Sequence, residues 1–273
     1  MAPSAVSPPD SPIVKKPKPQ FTVEEFDSAT AKVEDLIDSL IHNGGCIIRN
    51  LLTTEELAQI ERDTRPYIED DFAWEGEFFP KETRRVLGLA AKSPTYLKRI
   101  CLHPLFKAVC DAILTSKFEY WVGDKLETSY SRPQLNSTSV FSIGPGARAQ
   151  GLHRDDMIHH TFLPEITAEE YKPGRDTAIG CFVAGKKTTR ANGATRFVPG
   201  SHLQLTSTPP VEEEAFYAEL EPGDAFIMLA SCYHGGSANT TEDEERLVYG
   251  TFVTKGMLRQ VYRDPFSIAH IAC

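Results

Sequence analysis

Two short runs in this chain hold the residue types that bind a catalytic metal. His153 and Asp155 stand two positions apart within Gly151-Leu152-His153-Arg154-Asp155-Asp156, and His234 follows much later within Cys232-Tyr233-His234-Gly235-Gly236. Two imidazoles and one carboxylate are the facial ligand set of non-haem Fe(II) oxygenases, which leaves the other positions around the ion open. In extended chain, residues i and i+2 point the same way. His153 and Asp155 can then reach one ion while Arg154 faces away. Asp156 would face away too, so it is the weaker candidate. A His-x-Asp pair recurs by chance, and three unrelated polar residues at strand ends would look the same. What raises its value here is the distal His followed, twelve residues on, by Arg246 at the start of the run Leu247-Val248-Tyr249. A permanently charged, planar guanidinium suits a carboxylate in a partly dry pocket; the plainer reading pairs Arg246 with the acidic run Glu242 to Glu245.

The elements that must position these residues divide the chain. Residues 1–20, rich in Pro, Ser and Lys, cannot bury much apolar surface and are expected to form a disordered tail. Residues 21–116 read as mainly helical. Thr22 and Glu25 have capping-box spacing, as do Thr53 and Glu56. Val33, Leu36, Ile37, Leu40 and Ile41 make one apolar stripe that should end at Gly44-Gly45, before a short buried strand at Cys46-Ile47-Ile48. Residues 68–84 mix acids with Phe72, Trp74, Phe78 and Phe79 and read as a loop. Tyr96 to Ile113 looks helical, interrupted at Pro104. From Lys117 to about residue 255, short runs rich in β-branched and aromatic residues alternate with Gly, Pro and Asn, with no helical pattern between them. Helices first and strands later predict an α+β chain, with helices packed on a mainly antiparallel sandwich or double-stranded β-helix.

The run Gln150 to Asp156, the segment Asn192-Gly193-Ala194-Thr195-Arg196-Phe197-Val198-Pro199-Gly200-Ser201-His202, the turn Pro222-Gly223-Asp224, His234-Gly235-Gly236 and Arg246 occur in an order and spacing that resemble the phytanoyl-CoA dioxygenase family. More narrowly, they resemble its fungal members that oxidise meroterpenoids and alkaloids. The resemblance implies a double-stranded β-helix (jelly-roll, cupin-like) core with the N-terminal helices packed on the sheet. It implies Fe(II) held by His153, Asp155 and His234. It implies 2-oxoglutarate as co-substrate, its distal carboxylate on Arg246 with a hydrogen bond from Thr195, and Gln150 near its metal-binding end. O2 is then the oxidant, succinate and CO2 are products, and the substrate is an apolar polycyclic natural product oxidised by hydrogen abstraction. Irregular segments beside a strand scaffold usually carry substrate contacts, which nominates Phe79, His159 and Phe162. For His159 and His160 the plainer reading is that they line the entrance or pair with acids; for Phe72, Trp74, Phe78 and Phe79 it is core packing.

Composition bounds the alternatives. A net charge of −9 argues against nucleic acid and anionic membranes as partners. No stretch approaches the roughly 20 apolar residues of a membrane span, and the N-terminus has no apolar h-region. The six cysteines lack CxxC spacing, so buried thiols in a reducing, cytoplasmic setting are expected rather than disulfides or a structural zinc. The expected partner is a small molecule, with a homodimer left open. An acyl-CoA 2-hydroxylase of the same superfamily would want a basic groove, against which the acidic balance speaks. A non-catalytic cupin-like binding module would not need the full ligand set with Arg246.

Overall fold

The computed structural model describes residues 21–71 and 78–258. The chain opens with β1 (Glu24–Asp27), α1 (Val33–Asn43), β2 (Gly45–Arg49) and α2 (Thr54–Glu69). The capping box of Thr53 and Glu56 is formed, the Thr53 side chain accepting from the Glu56 N–H and Glu56 from the Thr53 N–H. The same spacing at Thr22 and Glu25 does not start a helix. There the Thr22 N–H donates to Asn43 Oδ1, and β1 pairs in parallel with β2, so partners distant in sequence take the donors that a cap would have served. α1 ends where expected: Gly44 adopts φ 83° and its N–H donates to Leu40 O. A Cβ at Gly44 would also collide with Cys232 Sγ and His202 Nδ1.

The segment expected as a loop over 68–84 ends in a strand, β3 (Thr83–Leu87); Phe72 and Trp74 lie outside the described residues. Short helices α3 (Leu89–Lys92) and α4 (Pro94–Tyr96) and a π-turn at Leu97–Cys101 lead to α5 (Pro104–Leu114). Pro104 sits in the first turn of α5, where its missing N–H costs nothing. The hairpin β4 (Ser116–Val122) and β5 (Lys125–Ser131) comes next, then β6 (Gln134–Ile143), β7 (Ala178–Ala184), β8 (Thr195–Phe197), β9 (Phe216–Ala218), β10 (Ala225–Leu229), β11 (His234–Gly236) and β12 (Arg246–Thr254).

Seven strands form the major sheet in the order β1-β2-β10-β7-β12-β6-β3, and three form the minor sheet in the order β11-β8-β9. Apart from β1 with β2, every pairing is antiparallel. This is the jelly-roll core, with two differences from the expected division. The N-terminal part contributes three strands, β1, β2 and β3, to the major sheet, because β2 and β3 find their partners in β10 and β6. The runs at 116–131, expected within the core, pair only with each other. β7 is buried along its whole length, as is β10, which a strand covered on both faces must be. α5 packs on β7 and α1 packs on α5, so Leu36, Leu40, Phe106, Val109 and Ile113 cap the outer face of the sheet. No helix among the described residues is long and apolar enough to cross a membrane. Cys46, Cys101, Cys110, Cys181 and Cys232 are buried free thiols.

Candidate functional site

His234 is the first residue of β11 in the minor sheet, and His153 meets it through an isolated antiparallel bridge, each N–H donating to the other's carbonyl at 2.9 Å. The chain does not continue as strand to Asp155, as the i, i+2 argument assumes. Asp155 is instead the first residue of a 3-10 turn, Asp155–His159. Two interactions set that turn: the Asp156 N–H donates to Ala230 O at 3.2 Å, and Arg154 is buried on the far side, donating to Ser201 O and lying over the Tyr233 ring. The convergence survives the change of element, since Arg154 does face away. Asp155 Oδ1 lies 3.6 Å from His153 Nε2 and Oδ2 lies 3.5 Å from His234 Nε2. One ligand atom from each residue falls within 4.8 Å of the others.

The ring environments prepare both Nε2 atoms as ligands. His153 Nδ1 lies 2.9 Å from Gly151 O and His234 Nδ1 lies 3.2 Å from Cys232 O. A carbonyl can only accept, so the hydrogen belongs on Nδ1 and the Nε2 lone pair is left for a metal. Burial pulls the His153 pKa down, but the hydrogen bond and charge of Asp155 outweigh it and hold the ring above its ordinary value. Burial raises the Asp155 carboxyl, yet the attraction of His234 and His153 leaves it below the usual carboxylate range. His234 is held below the usual histidine value by burial, which favours the neutral ring. This donor set fits Fe(II).

The second part of the site is deeper. Arg246 opens β12 and is only 6% exposed. It donates to Thr195 Oγ1 at 2.8 Å across from the minor sheet, and its Nε has no partner. Among the described residues no acid forms an ion pair with it, so the Glu242–Glu245 reading fails: Glu245 pairs with Arg65 and Lys186 instead. Burial alone lowers the Arg246 pKa to about 10. A buried cation with an unpaired N–H is the observation a 2-oxoglutarate carboxylate would satisfy. Gln150 closes the same corner: its N–H donates to Gly236 O at 2.9 Å and its Oε1 accepts from the Gly236 N–H at 3.0 Å, which leaves its NH2 as the donor for a ligand. A Cβ at Gly236 would stand 3.3 Å from Gln150 Oε1 and 3.6 Å from Arg246 Nη1, filling the space between them.

One cavity joins these parts. It is lined by His153, Asp155, His234, Gln150, Thr195 and Arg246, and by Phe78, Phe79, Pro80, Phe141, Ile143, Phe182, Val248 and Phe252. Of the residues nominated for substrate, Phe79 lines the cavity, against Phe78 and Phe141. His159 does not: its Nδ1 lies 2.8 Å from Thr177 Oγ1. Phe162 does not line it either and is 67% exposed, because the chain after the 3-10 turn runs off over the surface. His160 takes φ 53° and is exposed. Sequence reasoning missed Phe141, Phe182, Val248 and Phe252. A signal for two of them was present: Val248, Gly250 and Phe252 share the parity of Arg246 on one strand, so all face one side. Phe141 and Phe182 needed the register, which sets them opposite Val248 and Gly250.

Residues 41–248 match the model of the phytanoyl-CoA dioxygenase (PhyH) family. The chain is 42% identical over 245 residues to the dioxygenase himG of Aspergillus japonicus, covering 90% of this chain and 76% of that protein. It is 42% identical over 241 residues to the dioxygenase peniF of Penicillium patulum, covering 88% and 78%. Among solved structures it resembles the non-haem α-ketoglutarate-dependent epimerase SnoN from nogalamycin biosynthesis, at 21% identity and TM-score 0.60 over 82% of this chain and 83% of that one. It also resembles HygX from Streptomyces hygroscopicus with nickel and 2-oxoglutarate bound, at 15% identity and TM-score 0.60 over 84% and 90%.

Proposed function

This chain belongs to the phytanoyl-CoA dioxygenase family, and on that premise we propose that it is a non-haem Fe(II), 2-oxoglutarate-dependent dioxygenase that oxidises an apolar polycyclic natural product of fungal secondary metabolism. The observation that carries the reading is one cavity in which a His-Asp-His donor set, a buried guanidinium with no acidic partner among the described residues and an aromatic wall are contiguous. Iron with 2-oxoglutarate and O2 supplies the power to abstract hydrogen from an unactivated C–H, with succinate and CO2 as products.

The chain's own residues hold, orient and exclude. His153, Asp155 and His234 would hold the iron, the hydrogen bonds from His153 Nδ1 to Gly151 O and from His234 Nδ1 to Cys232 O fixing each ring's tautomer. Arg246 and Thr195 would hold the distal carboxylate, and the Gln150 NH2 would donate nearer the metal. Held at both ends by these residues, the co-substrate would be fixed in one orientation. Phe78, Phe79, Phe141, Phe182 and Phe252 form the wall that an apolar substrate replaces water against. They keep the reacting centre dry. An acyl-CoA substrate fits less well: besides Arg246, Arg148 is the one cation among the described lining residues, too few for several phosphates. The 42% identity to the fungal dioxygenases himG and peniF supports an oxidation of the fungal kind, and the five buried free thiols support a reducing, cytoplasmic setting.

The test is anaerobic titration of the protein with Fe(II) and 2-oxoglutarate. A weak visible charge-transfer band is expected, together with succinate formation when O2 is admitted. A protein that binds iron but neither shows the band nor turns over 2-oxoglutarate would overturn the reading.

A further inference from the structure

The β4–β5 ribbon is covered by nothing among the described residues. Every residue from Lys117 to Tyr130 is exposed, and each strand pairs only with the other. Strand alternation and the register place Phe118, Tyr120 and Val122 on one face, and Trp121, Leu126 and Tyr130 on the other. Phe118 is 64% exposed, Trp121 68% and Tyr130 64%. A lone two-stranded hairpin is marginal in water. A ribbon built to face solvent would be apolar on one side at most.

We infer that this ribbon is a dimerisation arm, exchanged reciprocally between two copies of the chain across a two-fold axis. Three features select a second copy as the occupant. The first is area: six large apolar side chains at these exposures offer on the order of 800 Å² per copy, about what each partner contributes to a stable interface. The second is charge. The chain carries −9, yet the ribbon sets Lys117 and Lys125 against Glu119, Asp124 and Glu127, a net of −1. Two acidic molecules therefore meet here with little repulsion. The third is that both faces are apolar. In a symmetric exchange one face meets the partner's arm and the other the partner's body, so both are covered. A lipid surface would bury one face and leave the other wet, and the acidic arm gains nothing from anionic headgroups.

The test uses the full chain. Sedimentation at tens of micromolar should give a dimer of the 30.3 kDa chain. The triple variant Phe118→Ser, Trp121→Ser, Tyr130→Ser should sediment as a monomer with an unchanged circular dichroism spectrum, its dissociation constant raised at least about 100-fold. Hydrogen exchange on the unaltered protein gives an independent readout: amides of 117–130 should be protected at high concentration and lose that protection on roughly 100-fold dilution. A monomer at tens of micromolar overturns the inference. So does a dimer that survives the triple substitution, or arm protection that ignores concentration. Binding to phosphatidylcholine vesicles that the substitutions remove, without any change of mass, would overturn it in favour of a membrane surface.

Discussion

The two ends of the cavity are built in opposite ways. At the metal end the charged groups satisfy one another: Asp155 lies between His153 and His234, and both rings have backbone partners. At the anchor end Arg246 is buried with Thr195 as its side-chain partner and an unpaired Nε. The metal end can therefore close on itself, while the anchor end keeps a charge that no acid among the described residues pairs with. The same contrast extends to scaffolding. The metal end rests on an isolated bridge and a 3-10 turn, held by Arg154 and the Gly200–Leu203 turn. The anchor end rests on two regular strands facing each other from different sheets.

The sharpest way to break this comparison is His234→Ala. It removes a ligand, so metal binding and turnover should both vanish, which iron analysis with a succinate assay measures. Retained decarboxylation would mean the metal sits elsewhere. Arg246→Ala should leave iron binding nearly intact. Losing one partner of a desolvated charge pair costs about 2–5 kcal/mol, so the KM for 2-oxoglutarate should rise by one to a few orders of magnitude. If instead iron affinity fell with it, the two ends would be one unit.

Acid should test the scaffolding of the metal end. His202 is buried in the turn whose Ser201 carbonyl holds Arg154, and burial lowers its pKa to about 4. Between that value and the ordinary 6.5, the unfolded chain binds a proton that the folded one does not. Stability then rises with pH across this window and is lost as pH falls through it. The full effect is about 3 kcal/mol at most. His202→Gln should remove that part of the slope, as urea unfolding at several pH values would reveal; an unchanged slope would exonerate His202. A smaller effect is expected from Gly236→Ala, whose methyl enters the space between Gln150 and Arg246. The KM for 2-oxoglutarate should rise about 10-fold, roughly 1.4 kcal/mol, without loss of iron. The smallest contrast lies in the wall. Phe79→Ala should uncouple 2-oxoglutarate decay from substrate oxidation by a few-fold, and Phe162→Ala should leave the ratio of succinate to oxidised product unchanged. Equal effects would mean that Phe162 contacts the substrate although it does not line the cavity.

Features carried by neighbours in sequence are legible in the chain alone. The α1 stripe and its stop at Gly44, the capping box at Thr53, the alternation that marks strands, and the His-x-Asp pair with its distal His and Arg all depend on spacing along the chain. Local geometry enforces them wherever the chain goes. The failures have one cause. Thr22 and Glu25 have the same capping spacing as Thr53 and Glu56, but β2 and Asn43 outcompete the cap. Asp155 reaches the metal site from a 3-10 turn because the Ala230 carbonyl and the burial of Arg154 bend the chain there. The strand at Thr83–Leu87 exists because β6 offers it an edge, and the runs at 116–131 lack such an edge. Sequence alone determined which groups could do chemistry and the class of core that holds them. The tertiary structure decided which aromatics line the cavity beside the His-Asp-His set, that Arg246 is buried with no acidic partner among the described residues, and that Phe162 lies outside the cavity lining. Those outcomes depend on register between strands distant in sequence, where a shift of one residue would turn every side chain to the other face.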